Sequence, residues 1–203
     1  NPSVPTNFSH SSTTQVTKSG PTSSGGNFTS TGDVTTESSV TASGSATSGT
    51  FSESESVCET FSHSETGLGY SMISSGSFCF SYSVSGTYSV AGDGSVSITG
   101  GYTITVTASY SYTYNSSTTE VVNEPNLTAS ETVIVSDSGN GSFTYNENGS
   151  FSAGSSNVTL TATAQYSLSA SANGSLIVTG NYAGSFPMPN PSGPSSSSSF
   201  GGS

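Results

Sequence analysis

The sequence predicts an all-β fold, an antiparallel β-sandwich of Ig-like or pilin-like type completed by a donated strand. Three observations lead there. The first is composition: of 203 residues, 52 are Ser, 29 Thr and 24 Gly, while five Leu, two Gln, one Lys and no Arg leave almost nothing that favours a helix. An all-helical or doubly wound α/β architecture is therefore excluded. The second is period two: from the middle of the chain onward every second residue is apolar and the one between is usually Ser or Thr. The third is that both ends depart from this body in composition and length.

Taken in order, residues 1–18 carry a sparse row of one parity, Val4, Phe8 and Val16, and read as a strand cut off from the rest. Residues 19–26 are Ser, Gly, Pro and Thr and read as a flexible linker spanning about 26 Å when extended. Residues 27–186 form the sandwich domain. Short strands are expected at 34–42, 51–61, 129–135, 143–145 and 151–153. One long hairpin runs from Phe78 to Tyr114 around Gly92, Asp93 and Gly94, and a second from Val158 to Phe186 around Asn173 and Gly174. Further turns are expected at Asn140-Gly141 and Asn148-Gly149, because Asn-Gly supplies the positive φ that tight hairpins need. Strands with one apolar face call for a second sheet to cover it, hence the sandwich. Residues 187–203 are rich in Pro and Ser and read as an extended tail outside any sheet.

The formal net charge is −11, with Lys18 as the one Lys or Arg. Phosphate binding needs clustered cations, so nucleic acid and anionic membrane surfaces are excluded as partners. The longest apolar run is about three residues, against the ~20 needed to cross a bilayer, so no membrane insertion is expected. The chain begins at Asn1 and not Met, from which removal of a secretion signal is expected. In an exported chain Cys58 and Cys79 read as one disulfide closing a loop of about 20 residues, worth ~3 kcal/mol, the alternative being two free thiols. Both have the parity opposite to their apolar neighbours, so both sulfurs are expected on the face away from the core.

No residue set supports catalysis, and no cofactor is expected. His10 lies in the terminal segment and His63 in a Ser-rich stretch, and Ser is too abundant for a nearby hydroxyl to signal a triad. Two His without a further ligand make no metal site. Glu53, Glu55 and Glu59 share the parity of Phe51, Val57 and Phe61, which points to an edge strand or a bulge, with a weak Ca2+ site as the alternative. Asn-x-Ser/Thr occurs at Asn7, Asn27, Asn115, Asn126, Asn140, Asn148, Asn157 and Asn173. Each lies opposite the local apolar row or in a turn, so N-linked glycans are expected there. Thr103, Thr105 and Thr107, with Thr159, Thr161 and Thr163, make two outward rows; ordinary strand propensity accounts for them, and an ice-binding surface is the minor alternative.

An apolar groove beside a free edge templates association. Residues 1–18 of one subunit are expected to add to the sheet of the next, with Val4, Phe8 and Val16 as anchors, and a contact between two different surfaces propagates as a homopolymer. In its Ser/Thr richness, its near absence of Lys and Arg, its many sequons and its N-terminal strand tethered by Gly25 and Gly26, the chain resembles the subunit of the crenarchaeal thread filament. That resemblance implies an extracellular, archaeal, acidic setting and a glycosylated surface filament joined by donor-strand complementation, serving adhesion or biofilm formation. The alternative is a glycosylated stalk or surface-layer module that donates no strand.

Overall fold

The computed structural model describes residues 5–124, 127–154, 157–184 and 195–202. Among them there is no helix. Eight strands follow one another: β1 (Thr6–Pro21), β2 (Asn27–Gly44), β3 (Ser48–Gly67), β4 (Tyr70–Val90), β5 (Val96–Glu124), β6 (Leu127–Ala153), β7 (Val158–Gly184) and β8 (Ser195–Gly202). They form one open sheet in sequence order, every neighbouring pair antiparallel.

The second layer of the expected sandwich is not found among the described residues. The chain instead puts its length into the strands, the longest of which, β5, has 29 residues and extends roughly 95 Å. Each strand then pairs along nearly its whole length with its neighbour, and the sheet grows sideways without folding over. As a result no described residue is buried.

Register sorts the side chains. Residues directly opposite one another share a face, so the pairing carries the even residues of β1, β2, β4, β5 and β7 and the odd residues of β3 and β6 to one side. That side holds the aromatic and most large aliphatic residues. The other holds Ser, Thr and Asn, with Ile73, Val121, Ile134 and Ile177 as its large apolar exceptions.

The hairpin around Gly92, Asp93 and Gly94 forms as expected. Val90 pairs with Val96, Ala91 N donates to Ser95 O, and Gly94 takes a φ of 83°. Asp93 Oδ1 accepts from Ser95 N and Oγ at 2.9 and 2.7 Å. The expected turns at Asn140-Gly141, Asn148-Gly149 and Asn173-Gly174 do not form: the first two lie inside β6 and the third inside β7. Gly149 of the second pair, like Gly139 nearby, has another task, which is to make room for a ring. Gly139 stands opposite Tyr112, whose ring would meet an added Cβ at 2.5 Å, and Gly149 stands opposite Tyr102 in the same way. Phe61 and Tyr110 reach toward each other across Gly76 of the strand between them, with ring centroids 6.3 Å apart. A ring lying over a cross-strand glycine covers backbone that would otherwise be bare.

Both ends differ from expectation as well. Residues 6–21 are paired with β2 of their own chain, and the stretch expected as a flexible linker is strand up to Pro21 followed by a tight turn. In that turn Thr22 N donates to Gly26 O and Gly26 N to Thr22 Oγ1, both at 2.9 Å, and Gly25 has a φ of 79°. The side-chain hydroxyl closes the turn and removes the slack that the composition implies. Residues 195–202, expected as tail, pair as β8 with Ala172–Thr179 of β7. This Ser tract lies beyond the last proline, so every residue keeps an N–H for the ladder.

Cys58 and Cys79 are directly opposite on β3 and β4 and form a disulfide, with Cα atoms 4.1 Å apart. Both sulfurs are on the Ser/Thr face, as their parity requires. The bond closes a loop that contains the β3–β4 turn. Replacing both with Ser is expected to lower stability by ~3 kcal/mol in guanidinium unfolding, with the sheet still formed by circular dichroism.

Candidate functional site

The molecule has no enclosed site among its described residues; it offers two broad faces and two edges. The Ser/Thr face is laced by cross-strand hydroxyl pairs. Thr31 meets Ser62 at 2.6 Å, Ser39 meets Ser54 at 2.8 Å, Ser77 meets Ser109 at 2.8 Å and Ser142 meets Ser169 at 2.9 Å. Such pairs satisfy one another without charge, which leaves a polar surface of small side chains.

All the described strand sequons lie on this face. Asn7, Asn27, Asn115, Asn140, Asn148 and Asn173 are exposed there, and Asn157 is exposed in the β6–β7 connection. Asn126 lies outside the described residues. Asn148 Oδ1 accepts from Thr103 Oγ1 at 3.0 Å and Asn140 Oδ1 from Ser171 Oγ at 2.6 Å. These bonds use the carbonyl oxygens and turn the nitrogens, where a glycan attaches, to solvent.

The opposite face joins aromatic rings to carboxylates. Among the side chains described, eight acids share it: Glu53, Glu55, Glu59, Glu65, Glu120, Glu131, Asp137 and Glu147. Tyrosine hydroxyls hold several of them. Tyr70 donates to Glu65 at 2.7 Å, Tyr102 and Tyr145 both donate to Glu147, and Tyr112 donates to Asp137 at 3.2 Å. Hydrogen bonds from Tyr70 and His63 hold Glu65 below the usual carboxylate range, and those from Tyr102 and Tyr145 do the same for Glu147. The reciprocal effect raises Tyr102 and Tyr145, and a bond to Glu53 raises Tyr82.

The parity of Glu53, Glu55 and Glu59 therefore needs neither an edge nor a bulge. Strand β3 is interior, and its register to β2 and β4 runs without a break. Acids are accommodated beside rings because this face is open and their charges stay hydrated. No group of three ligands suited to a metal ion occurs among the described residues.

His63 makes a contact that the sequence reading missed. Its Nδ1 is 2.6 Å from Ser30 Oγ and its Nε2 is 3.4 Å from Glu65 Oε2, with Phe28 stacked on the ring. Hydroxyl, imidazole and carboxylate in line invite comparison with a nucleophilic triad. Acyl transfer also needs donors aimed at the developing oxyanion, whereas the backbone of β2 and β3 here is engaged in ladders on both sides.

The edges are the remaining feature. Among the described residues nothing pairs with the outer side of β1 or with the outer side of residues 158–171 of β7. Of the expected anchors, Phe8 and Val16 stand on the aromatic face of β1, Phe8 58% exposed, and Val4 lies outside the described residues. The free stretch of β7 carries the most exposed apolar residues of that face, among them Tyr166 at 80% and Leu168 at 74%. No family model matches the chain, and no curated protein matches it.

Because Glu147 is lowered, its contribution to stability is present above the ordinary 4.5 and is lost as pH falls through its own lower value. Removing one donor with Tyr102→Phe is expected to move the Glu147 titration upward, as followed by carboxyl-carbon NMR. An unchanged midpoint would show that the tyrosine does not hold the charge.

Proposed function

We propose that the chain is the structural subunit of an extracellular surface filament that polymerises head to tail by strand complementation, of the kind the crenarchaeal thread represents, with a role in adhesion or biofilm formation. The observation that supports this reading most directly is the pair of long edges left unpaired among the described residues. Edge strands are normally short, charged, kinked by Pro or covered. Strand β1 has 16 residues with Lys18 as its only formal charge, and its one Pro is the last residue.

In this reading β1 need not leave its own sheet. One side keeps its ladder to β2, and the other lies along residues 158–171 of β7 in the next subunit. Phe8 and Val16 then continue the row that Leu160, Tyr166 and Leu168 begin. The donor and acceptor surfaces differ, so the contact repeats without closing. Glycans on the Ser/Thr face would hydrate a surface that is nearly free of charge and would do so at any pH.

Blocking the edge tests the proposal in the full-length chain. Phe8→Lys with Val16→Lys places charge on the donor row and is expected to abolish filaments in negative-stain images of purified protein, while the circular dichroism spectrum stays that of a sheet. A chain that forms no filaments before substitution would favour the stalk module.

A further inference from the structure

The aromatic face has a second consequence, which goes beyond edge-to-edge growth. A compact monomer of 20.2 kDa exposes about 8,800 Å², whereas this chain exposes 13308 Å². The excess, roughly 4,500 Å² on one chain, is more than the about 1,000–2,500 Å² that each partner contributes to a large obligate homodimer interface. It arises because one layer leaves uncovered what two layers would hide.

We propose that the aromatic face of one subunit is covered by the same face of a second copy, and that this pairing tightens in acid. Two features select this occupant. The Ser/Thr face carries the sequons and already satisfies its hydroxyls laterally, so packing the aromatic face onto it would bury polar groups for little apolar gain. Aromatic face on aromatic face gives an isologous contact that stops at two layers and leaves both Ser/Thr faces in solvent. The sandwich expected from the apolar rows is then made between two chains.

Charge sets the condition. Against the carboxylates on this face stand few cations: His10 and Lys18 on β1 and His63 on β3, with none on β2, β4 or β7 among the described strands. The acids among the described side chains are Glu53, Glu55, Glu59 and Glu65 on β3, Glu120 on β5, and Glu131, Asp137 and Glu147 on β6, and Glu120 stands directly opposite Glu131. Two copies face to face double this density. Burying charged carboxylates against like charges is costly, and protonation removes the cost. Tyr82, Tyr102, Tyr112 and Tyr145 are raised above the ordinary tyrosine value, so they keep their protons in this range and can donate to either form.

The test places one thiol on each face at neighbouring positions of the full-length chain. Tyr110 is 47% exposed at the centre of the aromatic face, and Ser109 is on the other side of the same strand. The rate of reaction with dipyridyl disulfide, which works in acid, is compared for Tyr110→Cys and Ser109→Cys. Tyr110→Cys is expected to react at least about tenfold more slowly than Ser109→Cys at about pH 4, with the gap narrowing at about pH 7.5 as carboxylates ionise. Phe78→Cys against Ser77→Cys repeats the comparison without removing Tyr110. Equal rates on both faces at both pH values overturn the pairing, as they would if a polysaccharide or another protein were the natural cover. Protection that does not grow toward acid overturns the acid dependence. Edge-grown filaments with a reactive Tyr110→Cys would leave the filament reading standing alone, and protected Tyr110→Cys in material without filaments would do the reverse.

Discussion

Backbone hydrogen bonding holds this molecule together, and a ladder satisfies amides without hiding apolar surface. Interior strands of the sheet have partners on both sides, so their N–H and C=O groups are satisfied over long registers. The rings and aliphatic chains gathered on one face gain only lateral contacts with each other. Since net hydrogen-bond energies are modest and the hydrophobic term normally dominates folding, a single layer of this length is short of its main source of stability. The disulfide, the ring-over-glycine contacts and the cross-strand hydroxyl pairs all act within the layer. Among the described residues no second layer lies above it.

The two faces divide the chemistry cleanly. Small uncharged hydroxyls and amides occupy one, while rings and carboxylates share the other. Tyrosine lets that second combination work, because its ring packs beside Phe and Val while its hydroxyl reaches a neighbouring Glu or Asp. The same bonds depress Glu65 and Glu147, so these two hold their charge to lower pH than an unpartnered carboxylate. Glu120 and Glu131, by contrast, stand directly opposite one another across the β5–β6 ladder.

Much of the strand content was legible, and the errors share a cause. The period-two rows located the hairpin at Gly92 to Gly94 and put Cys58 and Cys79 on one face. The Asn-Gly pairs mislead when read as isolated turn signals. A two-residue hairpin turn reverses the parity of the apolar row, since its flanking residues pair at an odd index sum. Ala170 and Ala172 precede Asn173-Gly174 and Leu176 and Val178 follow it, all even, so the phase never changes and the strand continues. The same holds on β6, where Val133, Val135, Phe143 and Tyr145 are all odd. Glycine in an apolar row opposite an aromatic was the signal for a ring rest, and it can be recognised only once the register is known. The single layer was not legible, because the pattern that asks for a second sheet does not say which chain supplies it. Residues 19–26 look slack by composition, and only the Thr22 hydroxyl bonds reveal a closed turn.

The unequal ladders also determine how the sheet bears load. Force applied across the strands pulls on all the bonds of a ladder together, so resistance grows with ladder length. The β5–β6 seam spans most of two very long strands, while β8 grips β7 through only 8 residues. Stretching would therefore part the C-terminal strand first, while the sulfur bridge pins β3 to β4 near the middle of their ladder. A sheet so built has a sacrificial margin and a welded middle.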